Sequence, residues 1–252
     1  MKTFRSIVIT GASSGIGEAL ALDYAVPGAR LALGGRDDAR LQAVAAACRA
    51  RGAEVAARTI DIADRDAMAD WLRAQDAAKP VDLVLANAGI SIEKGKGQGI
   101  DEERTRRTFA VNVEGTFNTV FPLLDAMRAR RNGQIGLVAS LAGFIGLPRA
   151  SAYNASKSAI RVWGESIRHQ LHRDNVGVSV ICPGFVESRI TVGNDFPMPF
   201  MMSGARASAI IRRGLAHDRA RIAFPIGTKA AVWLGATLPG NATDWILRRF
   251  SP

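Results

Sequence analysis

A tyrosine and a lysine stand four residues apart in the segment Tyr153-Asn154-Ala155-Ser156-Lys157. The segment is predicted to be helical, and side chains four residues apart project from the same face of a helix. A phenol with an unperturbed pKa of about 10 carries protons poorly near neutrality, but a neighbouring ammonium favours the phenolate. The pair therefore predicts a catalytic site in which Tyr153 exchanges a proton with substrate and Lys157 lowers the pKa of Tyr153.

A serine accompanies this pair at the end of a predicted strand. The residues before it are largely apolar, and Ser140 closes the strand predicted over residues 134–140. Open α/β sheets bind their ligands in a crevice at the carboxyl ends of the strands. We therefore expect the hydroxyl of Ser140 to lie in that crevice and to orient a substrate oxygen.

A glycine-rich loop follows the first predicted strand and leads into a helix predicted over residues 18–26. Its sequence is Thr10-Gly11-Ala12-Ser13-Ser14-Gly15-Ile16-Gly17. Glycine permits positive φ angles and close approach to the backbone, while the helix N-terminus offers N–H groups to a pyrophosphate. The spacing differs from the G-x-G-x-x-G of the best-known dinucleotide fingerprint, and such glycines also occur in tight strand-to-helix turns. We interpret the loop as a dinucleotide cradle.

The elements that must position these groups alternate regularly along the chain. Apolar runs predict strands over residues 6–10, 30–34, 54–61, 81–86, 134–140 and 176–182, separated by segments of helical length. One such helix, predicted over 38–51, has Gly52 as its stop signal. Alternation of this kind indicates right-handed βαβ units, and strands without a polar face suit a sheet covered on both sides. The predicted fold is α/β, a doubly wound Rossmann-type parallel sheet in a single domain.

Composition restricts the remaining classes of function. With 48% hydrophobic and 22% charged residues, the chain is neither disordered nor fibrous in type. The two cysteines lack CxxC spacing and the three histidines are dispersed, so we expect no metal site and a reducing, cytoplasmic location. We expect no signal peptide and no transmembrane segment. The net charge of +10 comes without any nucleic-acid-binding motif, so we expect solvated surface charge and no nucleic-acid partner.

The order of the motifs resembles that of the classical short-chain dehydrogenase/reductase family over about residues 4–190. The resemblance depends on the glycine loop, Asp61, Asn87-Ala88-Gly89, Asn112, Ser140, the Tyr153/Lys157 pair and Pro183-Gly184. It implies an oxidoreductase that transfers a hydride between NAD(P)(H) and the carbon of a small-molecule alcohol or carbonyl compound. A non-catalytic dinucleotide-binding regulator and a C=C (enoyl-type) reductase are the alternatives. The intact catalytic set argues against the first, and a Tyr-to-Lys spacing of four argues against the second.

The resemblance also implies a role for each site residue. The implied catalytic set is Asn112, Ser140, Tyr153 and Lys157. Asn112, inside a helix predicted over 104–128, would hold a water that connects Lys157 to solvent, although a helix kink would also explain this asparagine. The implied cofactor-binding set is Gly11, Ser13, Ser14, Gly15, Ile16, Gly17, Arg36, Asp61, Ile62, Asn87, Ala88, Gly89, Tyr153, Lys157, Pro183, Gly184, Val186 and Ser188.

Within the cofactor set, several roles are more specific. Asp61 would meet the adenine ring, and Val186 would offer its backbone to the nicotinamide carboxamide. Lys157 would also bind the nicotinamide ribose. Asn87 would support either the cofactor or the central sheet, and Ser188 replaces the threonine usual in the family while keeping its hydroxyl.

The end of the second strand predicts a preference for NADP(H), with NAD(H) as the alternative. Gly35 stands where NAD-preferring dinucleotide folds carry an acidic residue that binds the adenine ribose, so nothing there repels a 2′-phosphate. Arg36 follows and offers a planar, phosphate-binding fork. Asp37 and Asp38 compete for this arginine, and Ser14 stands where many NADP-preferring relatives have a second basic residue.

The C-terminal part of the chain is expected to shape the substrate site. The resemblance divides the single domain into a core at about 4–185, a substrate lid at about 186–215 and an extension at about 216–252. Apolar residues in Phe144–Leu147 and Phe196–Met202 favour an apolar or bulky carbonyl substrate, although an oligomer contact or core packing would also explain the second segment. The segment Ile222–Phe250 mixes tryptophans with basic residues. We expect it to pack in the core or at the interface of a homodimer or homotetramer, with peripheral contact to an anionic membrane as the alternative.

Overall fold

Seven strands form one sheet in the computed structural model, which describes residues 1–91, 100–148, 150–192 and 198–250. The strands are β1 (Ser6–Thr10), β2 (Arg30–Gly35), β3 (Glu54–Thr59), β4 (Leu83–Ala86), β5 (Gly133–Val138), β6 (Val176–Pro183) and β7 (Arg221–Phe224). Their order is β3-β2-β1-β4-β5-β6-β7, and every neighbouring pair is parallel. The order reverses between β1 and β4, which is where a doubly wound sheet opens its ligand crevice.

The helices connect the strands and begin at recognisable caps. They are α1 (Gly15–Tyr24), α2 (Asp38–Ala50), α3 (Arg65–Ala78), α4 (Glu102–Phe109), α5 (Gly115–Ala129), α6 (Ser151–Leu171), α7 (Gly204–Ala216), α8 (Ile226–Thr237) and α9 (Gly240–Phe250). Asp37, Asp64 and Asp101 accept hydrogen bonds from backbone N–H groups in the first turns of α2, α3 and α4. Gly52, with φ +89°, follows α2 as its sequence predicts.

Two apolar layers cover the two faces of the sheet. Ile7 and Ile9 of β1 pack in the layer that includes Leu20 of α1, and Val8 packs in the opposite layer with Met68 of α3. All three β1 residues are at most 1% exposed. The alternation of side chains along a strand places them on opposite faces, so a strand buried on both sides must be apolar throughout. The predicted doubly wound single-domain fold is confirmed.

Several element boundaries differ from those predicted. The strand expected over 134–140 ends at Val138, because the side chain of Ser140 accepts the Ala142 N–H and caps a short 3-10 turn. The helix expected over 18–26 spans Gly15–Tyr24, and it stops before Pro27, which disfavours a helical conformation at the preceding residue. The strands expected over 54–61 and 81–86 are β3 and β4, each two residues shorter. No described helix combines the length and apolar character needed to cross a bilayer.

Candidate active site

The carboxyl ends of β1 and β4 lie side by side at the centre of the sheet and are tied together by Asn87. Its side-chain Nδ2 donates to the carbonyl oxygens of Thr10 at 2.9 Å and Gly11 at 3.3 Å. Its backbone N–H donates to the Thr10 hydroxyl at 3.2 Å. Asn87 thus fixes the start of the glycine loop against the neighbouring strand, which fits the sheet-supporting half of its predicted role.

The glycine loop is shaped so that its backbone can closely approach a ligand. Gly11 and Gly15 adopt positive φ angles of +68° and +58°. A Cβ on Gly17 would lie 2.2 Å from the Gly11 carbonyl oxygen and 2.6 Å from Asn87 Nδ2, so no side chain fits there. The Ser14 side chain does not cap α1, which leaves the N-terminal N–H groups of this helix free of that competitor. The cradle fits a pyrophosphate at the positive end of the helix dipole.

Gly17→Ala is expected to weaken dinucleotide binding at least about tenfold, because the new methyl group forces the Gly11 backbone out of the cradle. Cofactor titration monitored by fluorescence, together with Tm, measures the effect. Gly146→Ala is the matched control, since a Cβ there meets no heavy atom within 4 Å. Equal dinucleotide affinities of the two variants would show that the glycine loop does not bind the cofactor as proposed.

The structure brings the hydroxyl groups of Ser140 and Tyr153 together. The Ser140 side chain, beyond the end of β5, is close enough to the Tyr153 hydroxyl, in the first turn of α6, to act on the pKa of Tyr153. The Ser140 Oγ also lies 3.4 Å from the Pro183 carbonyl oxygen and accepts the Ala142 N–H at 3.1 Å. These contacts fix the serine rotamer and leave two hydroxyl groups side by side in the predicted crevice.

Lys157 lies in the same cluster and is buried. Its Nζ donates to the Val138 carbonyl oxygen at 2.8 Å and lies 5.8 Å from the centre of the Tyr153 ring. Burial lowers the pKa of Lys157 to about 8. Burial also raises the pKa of Tyr153, and the Ser140 side chain acts in the opposite direction without overcoming that rise. The expected lowering of the Tyr153 pKa is therefore not found in this state, and the phenol is neutral, the form that donates a proton.

The buried ammonium predicts a pH dependence of stability. Because burial lowers the pKa of Lys157 from 10.5 to about 8, the folded chain binds fewer protons than the unfolded chain between these values. Stability from this group therefore increases as pH rises from about 8 to 10.5. Lys157→Met removes the titration, so the unfolding free energy of wild type minus that of the variant should increase across this range. A constant difference in urea unfolding experiments would contradict the burial of a titrating lysine.

Asn112 connects the segment that follows β4 to the helix α6. Its Oδ1 accepts the Ile90 N–H at 2.8 Å, and its Nδ2 donates to the Ile90 carbonyl at 3.0 Å and to Ser156 Oγ at 3.0 Å. The continuous helix predicted over 104–128 is wrong, because a π-helical turn at 110–114 separates α4 from α5. Such turns recur at functional sites. Asn112 is fully buried within this turn, and these contacts make it a positioning residue.

Two residues near Asn112 complete this arrangement. Ser156, which the sequence reasoning missed, donates to the Tyr153 carbonyl at 2.8 Å and so joins Asn112 to the tyrosine backbone. A Cβ on Gly89 would lie 3.1 Å from Lys157 Nζ and 3.2 Å from Asn112 Oδ1. The predicted glycine therefore lets both polar groups approach the segment that follows β4.

Arg36, at the end of β2, is not engaged by the two aspartates that follow it. Asp37 caps α2 and pairs with Arg40 at 2.8 Å, while Asp38 accepts from the Thr59 hydroxyl at 2.6 Å. Arg36 is exposed and forms no hydrogen bond or ion pair with the parts of the chain that the structure describes. The competition expected from the two aspartates is therefore absent, and the guanidinium is available to a ligand.

Asp61 and Ile62 follow β3 near this arginine. The Asp61 carboxylate accepts the Ala63 N–H at 3.0 Å and pairs with Arg107 at 2.6 Å. Partial burial raises the pKa of Asp61, but these hydrogen bonds and the charges of Arg107 and Arg36 outweigh burial and lower it. Asp61 is thus an ionised acceptor at the predicted adenine end of the crevice. Ile62 is buried, and its side chain occupies the space beside the backbone of Gly115.

The segment after β6 closes the other side of the glycine loop. A Cβ on Gly15 would lie 2.8 Å from Ser188 Cβ, so this serine directly faces the loop. The Ser188 N–H donates to the Thr191 hydroxyl at 3.0 Å, and Val186 is buried in a bridge with Met202. The structure therefore brings the predicted residues from the ends of β1, β4 and β6 to one edge of the sheet.

Comparison with known proteins identifies the family of this chain. Residues 5–195 match the family model described as short chain dehydrogenase. The chain belongs to the short-chain dehydrogenase family. It is 37% identical over 248 residues to an uncharacterized oxidoreductase of Myxococcus xanthus, covering 98% of both chains. It is 30% identical to 11-beta-hydroxysteroid dehydrogenase A of Sesamum indicum, covering 96% of this chain and 74% of the relative.

Two solved structures extend the comparison. A short-chain dehydrogenase from Sphingobium yanoikuyae in complex with NADPH is similar with a TM-score of 0.81 at 25% identity, covering 98% of this chain and 94% of the other. A short chain dehydrogenase/reductase from Burkholderia phymatum in complex with NAD is similar with a TM-score of 0.83 at 25% identity, covering 97% and 96%. This short-chain dehydrogenase therefore shares its fold with proteins that bind either dinucleotide.

A cavity of about 740 Å³ adjoins the helix α6 of this short-chain dehydrogenase. Its walls come from the loop after Ser140, the first turns of α6 and the helix α9, and its lining includes Phe144, Ile145, Leu147, Pro148, Asn154 and Arg248. Asn154 is 5% exposed, and its Oδ1 has no hydrogen-bond partner among the described residues. Ser140 and Tyr153 do not line this cavity, which faces a different side of α6.

The segment predicted as the substrate lid has two distinct parts. Phe196 and Pro197 lie outside the described residues. Phe200 is 65% exposed and its ring lies against the backbone of Gly227 in α8. The helix α7, at the end of the predicted lid, buries Ile211 in the core, so only the residues before this helix remain a candidate lid.

Proposed function

We propose that this short-chain dehydrogenase is an NAD(P)(H)-dependent oxidoreductase that interconverts alcohols and carbonyl compounds. The observation that carries the proposal is that Ser140, Tyr153 and Lys157 lie together at one strand end, with the Ser140 side chain acting on the pKa of Tyr153 and the Lys157 ammonium 5.8 Å from the tyrosine ring. The glycine cradle at the adjoining strand end supports a dinucleotide cofactor. The binding of NADPH and NAD by the Sphingobium and Burkholderia proteins supports the same cofactor class.

The paired hydroxyls suit proton transfer at a carbonyl oxygen. Two donors side by side hold such an oxygen and stabilise the negative charge that develops on it. The neutral Tyr153 phenol then gives its proton to that oxygen, while the Lys157 ammonium stabilises the resulting phenolate. A bound nicotinamide would supply the hydride for reduction or take it up for oxidation. Asn112 keeps α6 in register with the segment after β4.

The proposed cofactor preference is NADP(H). A Cβ on Gly35 would lie 3.2 Å from Ser13 Oγ, so the backbone here is close to the glycine loop and carries no acidic group. Arg36 is exposed beside it and is not engaged by Asp37 or Asp38. An exposed guanidinium that pairs with neither adjacent aspartate supports recognition of a 2′-phosphate.

The proposed substrate is an apolar carbonyl compound or alcohol. Phe144, Ile145 and Leu147 follow the catalytic serine and border the cavity beside α6. An apolar wall with few polar groups is typical of small-molecule sites.

Cellular location and assembly belong to the same proposal. Cys48 and Cys182 are both free and buried, which supports a reducing cytoplasm. Phe121 on α5 is 54% exposed beside Trp163 of α6, at 5.8 Å between ring centres. An exposed aromatic cluster of this kind supports a homodimer or homotetramer.

A panel of ketones, enones and alcohols, screened with NADPH and NADH at the nicotinamide absorbance band, tests the proposed function. We expect turnover of at least one carbonyl compound, with higher kcat/KM for NADPH. Tight dinucleotide binding without turnover of any panel member would instead favour the regulator. Saturation of an enone C=C bond would favour the C=C reductase.

A further inference from the structure

The helix α8 exposes an apolar stripe instead of burying it. Ile226 is 83% exposed, Leu234 68% and Trp233 39%, and these positions share one helical face. No residue of α8 is buried. Core packing of α8 is confined to its opposite side, where the partly buried Val232 packs against the core and Gly235 lies against Ile145.

The apolar surface extends beyond α8 on both sides. Phe200, 65% exposed, lies against Gly227 at the start of α8. Trp245 of α9 is 63% exposed, and α9 borders the same loop after Ser140 through Asp244 and Arg248. We call Phe200, Ile226, Trp233, Leu234 and Trp245 the C-terminal apolar face. The helices α8 and α9, which carry most of this face, both adjoin the loop that lines the cavity.

Cations accompany both tryptophans of this face. The Lys229 Nζ lies 4.3 Å from the Trp233 ring centre, and the Arg249 guanidinium lies 5.6 Å from that of Trp245. Asp244 is the only acidic residue in the sequence from 225 to 252, and it is already paired with Arg248 at 2.9 Å. Tryptophan beside a cation, flanked by exposed aliphatic groups, matches the boundary between anionic headgroups and acyl chains.

We propose that the C-terminal apolar face docks on the surface of an anionic lipid bilayer. Charge complementarity favours this partner over a second copy of the chain. A two-fold contact would bring the same patch onto both sides, so Lys229 and Arg249 would face a copy of the patch that offers no free carboxylate to pair with. The net charge of +10 adds long-range attraction to an anionic surface. Docking would bring the cavity beside α6, which α9 borders, close to the membrane surface.

Co-sedimentation of the full chain with vesicles tests the proposal. Wild type should bind phosphatidylcholine vesicles that contain about 30% phosphatidylglycerol at about 0.15 M salt, and should bind pure phosphatidylcholine at least about tenfold more weakly. The double variant Trp233→Ser/Trp245→Ser and the double variant Lys229→Gln/Arg249→Gln should each lower binding at least about tenfold. Leu234→Ser is a second apolar variant, and its side chain is exposed enough for the fold to tolerate it.

Matched controls distinguish binding by this face from nonspecific apolar adsorption and from general electrostatic attraction. Val26→Ser removes an apolar side chain that is 40% exposed after α1, and Arg106→Gln removes a cation on α4. Both should bind like wild type. Absence of wild-type binding to anionic vesicles, or equal losses in the controls, would overturn the proposal. A fall in oligomer mass of the tryptophan variant, measured by light scattering without lipid, would assign the face to a second copy instead. None of these readouts requires enzymatic activity.

Discussion

Tyr153→Phe is expected to lower kcat by about 10²–10⁴-fold while changing the dinucleotide Kd by no more than about twofold. The variant removes only the hydroxyl that donates the proton, and the ring stays in its packed position. Ser140 loses one partner but keeps its contacts with Ala142 and the Pro183 carbonyl, so the crevice keeps its shape. Steady-state kinetics with the best substrate of the panel and cofactor titration give the two values.

The chain offers a matched control for this substitution, because it contains only two tyrosines. Tyr24 is buried on α1 against Phe4, with ring centres 6.5 Å apart, and takes no part in the proposed site. Tyr24→Phe should leave kcat unchanged. If Tyr153→Phe keeps a tenth or more of wild-type kcat, Tyr153 is not the proton donor.

Arg36→Ala is expected to reduce the ratio of kcat/KM for NADPH to that for NADH by about 10- to 150-fold, the equivalent of about 1.5–3 kcal/mol for a charge-assisted contact. The value of kcat/KM should decrease for NADPH and not for NADH, since only NADPH carries the 2′-phosphate. Measuring kcat/KM for both cofactors with wild type and variant gives the ratio directly.

Arg40→Ala is the control for the loss of a positive charge near the same crevice. Arg40 is already paired with Asp37, so its removal should leave the cofactor ratio close to that of wild type. An NADH preference in wild type, or the same ratio in Arg36→Ala as in wild type, would refute the proposed role of Arg36.

Local patterns predict the sheet well because its strands are buried on both faces. β1 and β6 are buried along their whole length and are mostly apolar. The glycine loop marks where the first strand gives way to a helix, and Gly52 marks where a helix ends. The seventh strand was missed because β7 has only four residues and begins with an exposed arginine. Its place in the sheet comes from pairing with β6, a contact between distant parts of the chain.

In the candidate site, too, local sequence predicts some features, while others depend on contacts between distant residues. The Tyr153/Lys157 spacing predicts a shared helical face, and the order of motifs brings Ser140 to the same strand end. The direction of the Tyr153 pKa shift was not predictable, because it depends on how completely the fold buries the phenol. The π-helical turn at Asn112 depends likewise on hydrogen bonds to Ile90 and Ser156, which are 22 and 44 residues away in sequence.

The most direct test of the proposed chemistry follows the hydride itself. NADPH deuterated at the transferable position of nicotinamide C4, turned over with an enone substrate, yields a product that mass spectrometry and NMR can locate by atom. We predict one deuterium on the carbinol carbon and an intact C=C bond, with about 10²–10⁴-fold less product per unit time from Tyr153→Phe. Deuterium on the β-carbon of the former enone, or consumption of NADPH without deuterium in the organic product, would contradict the account.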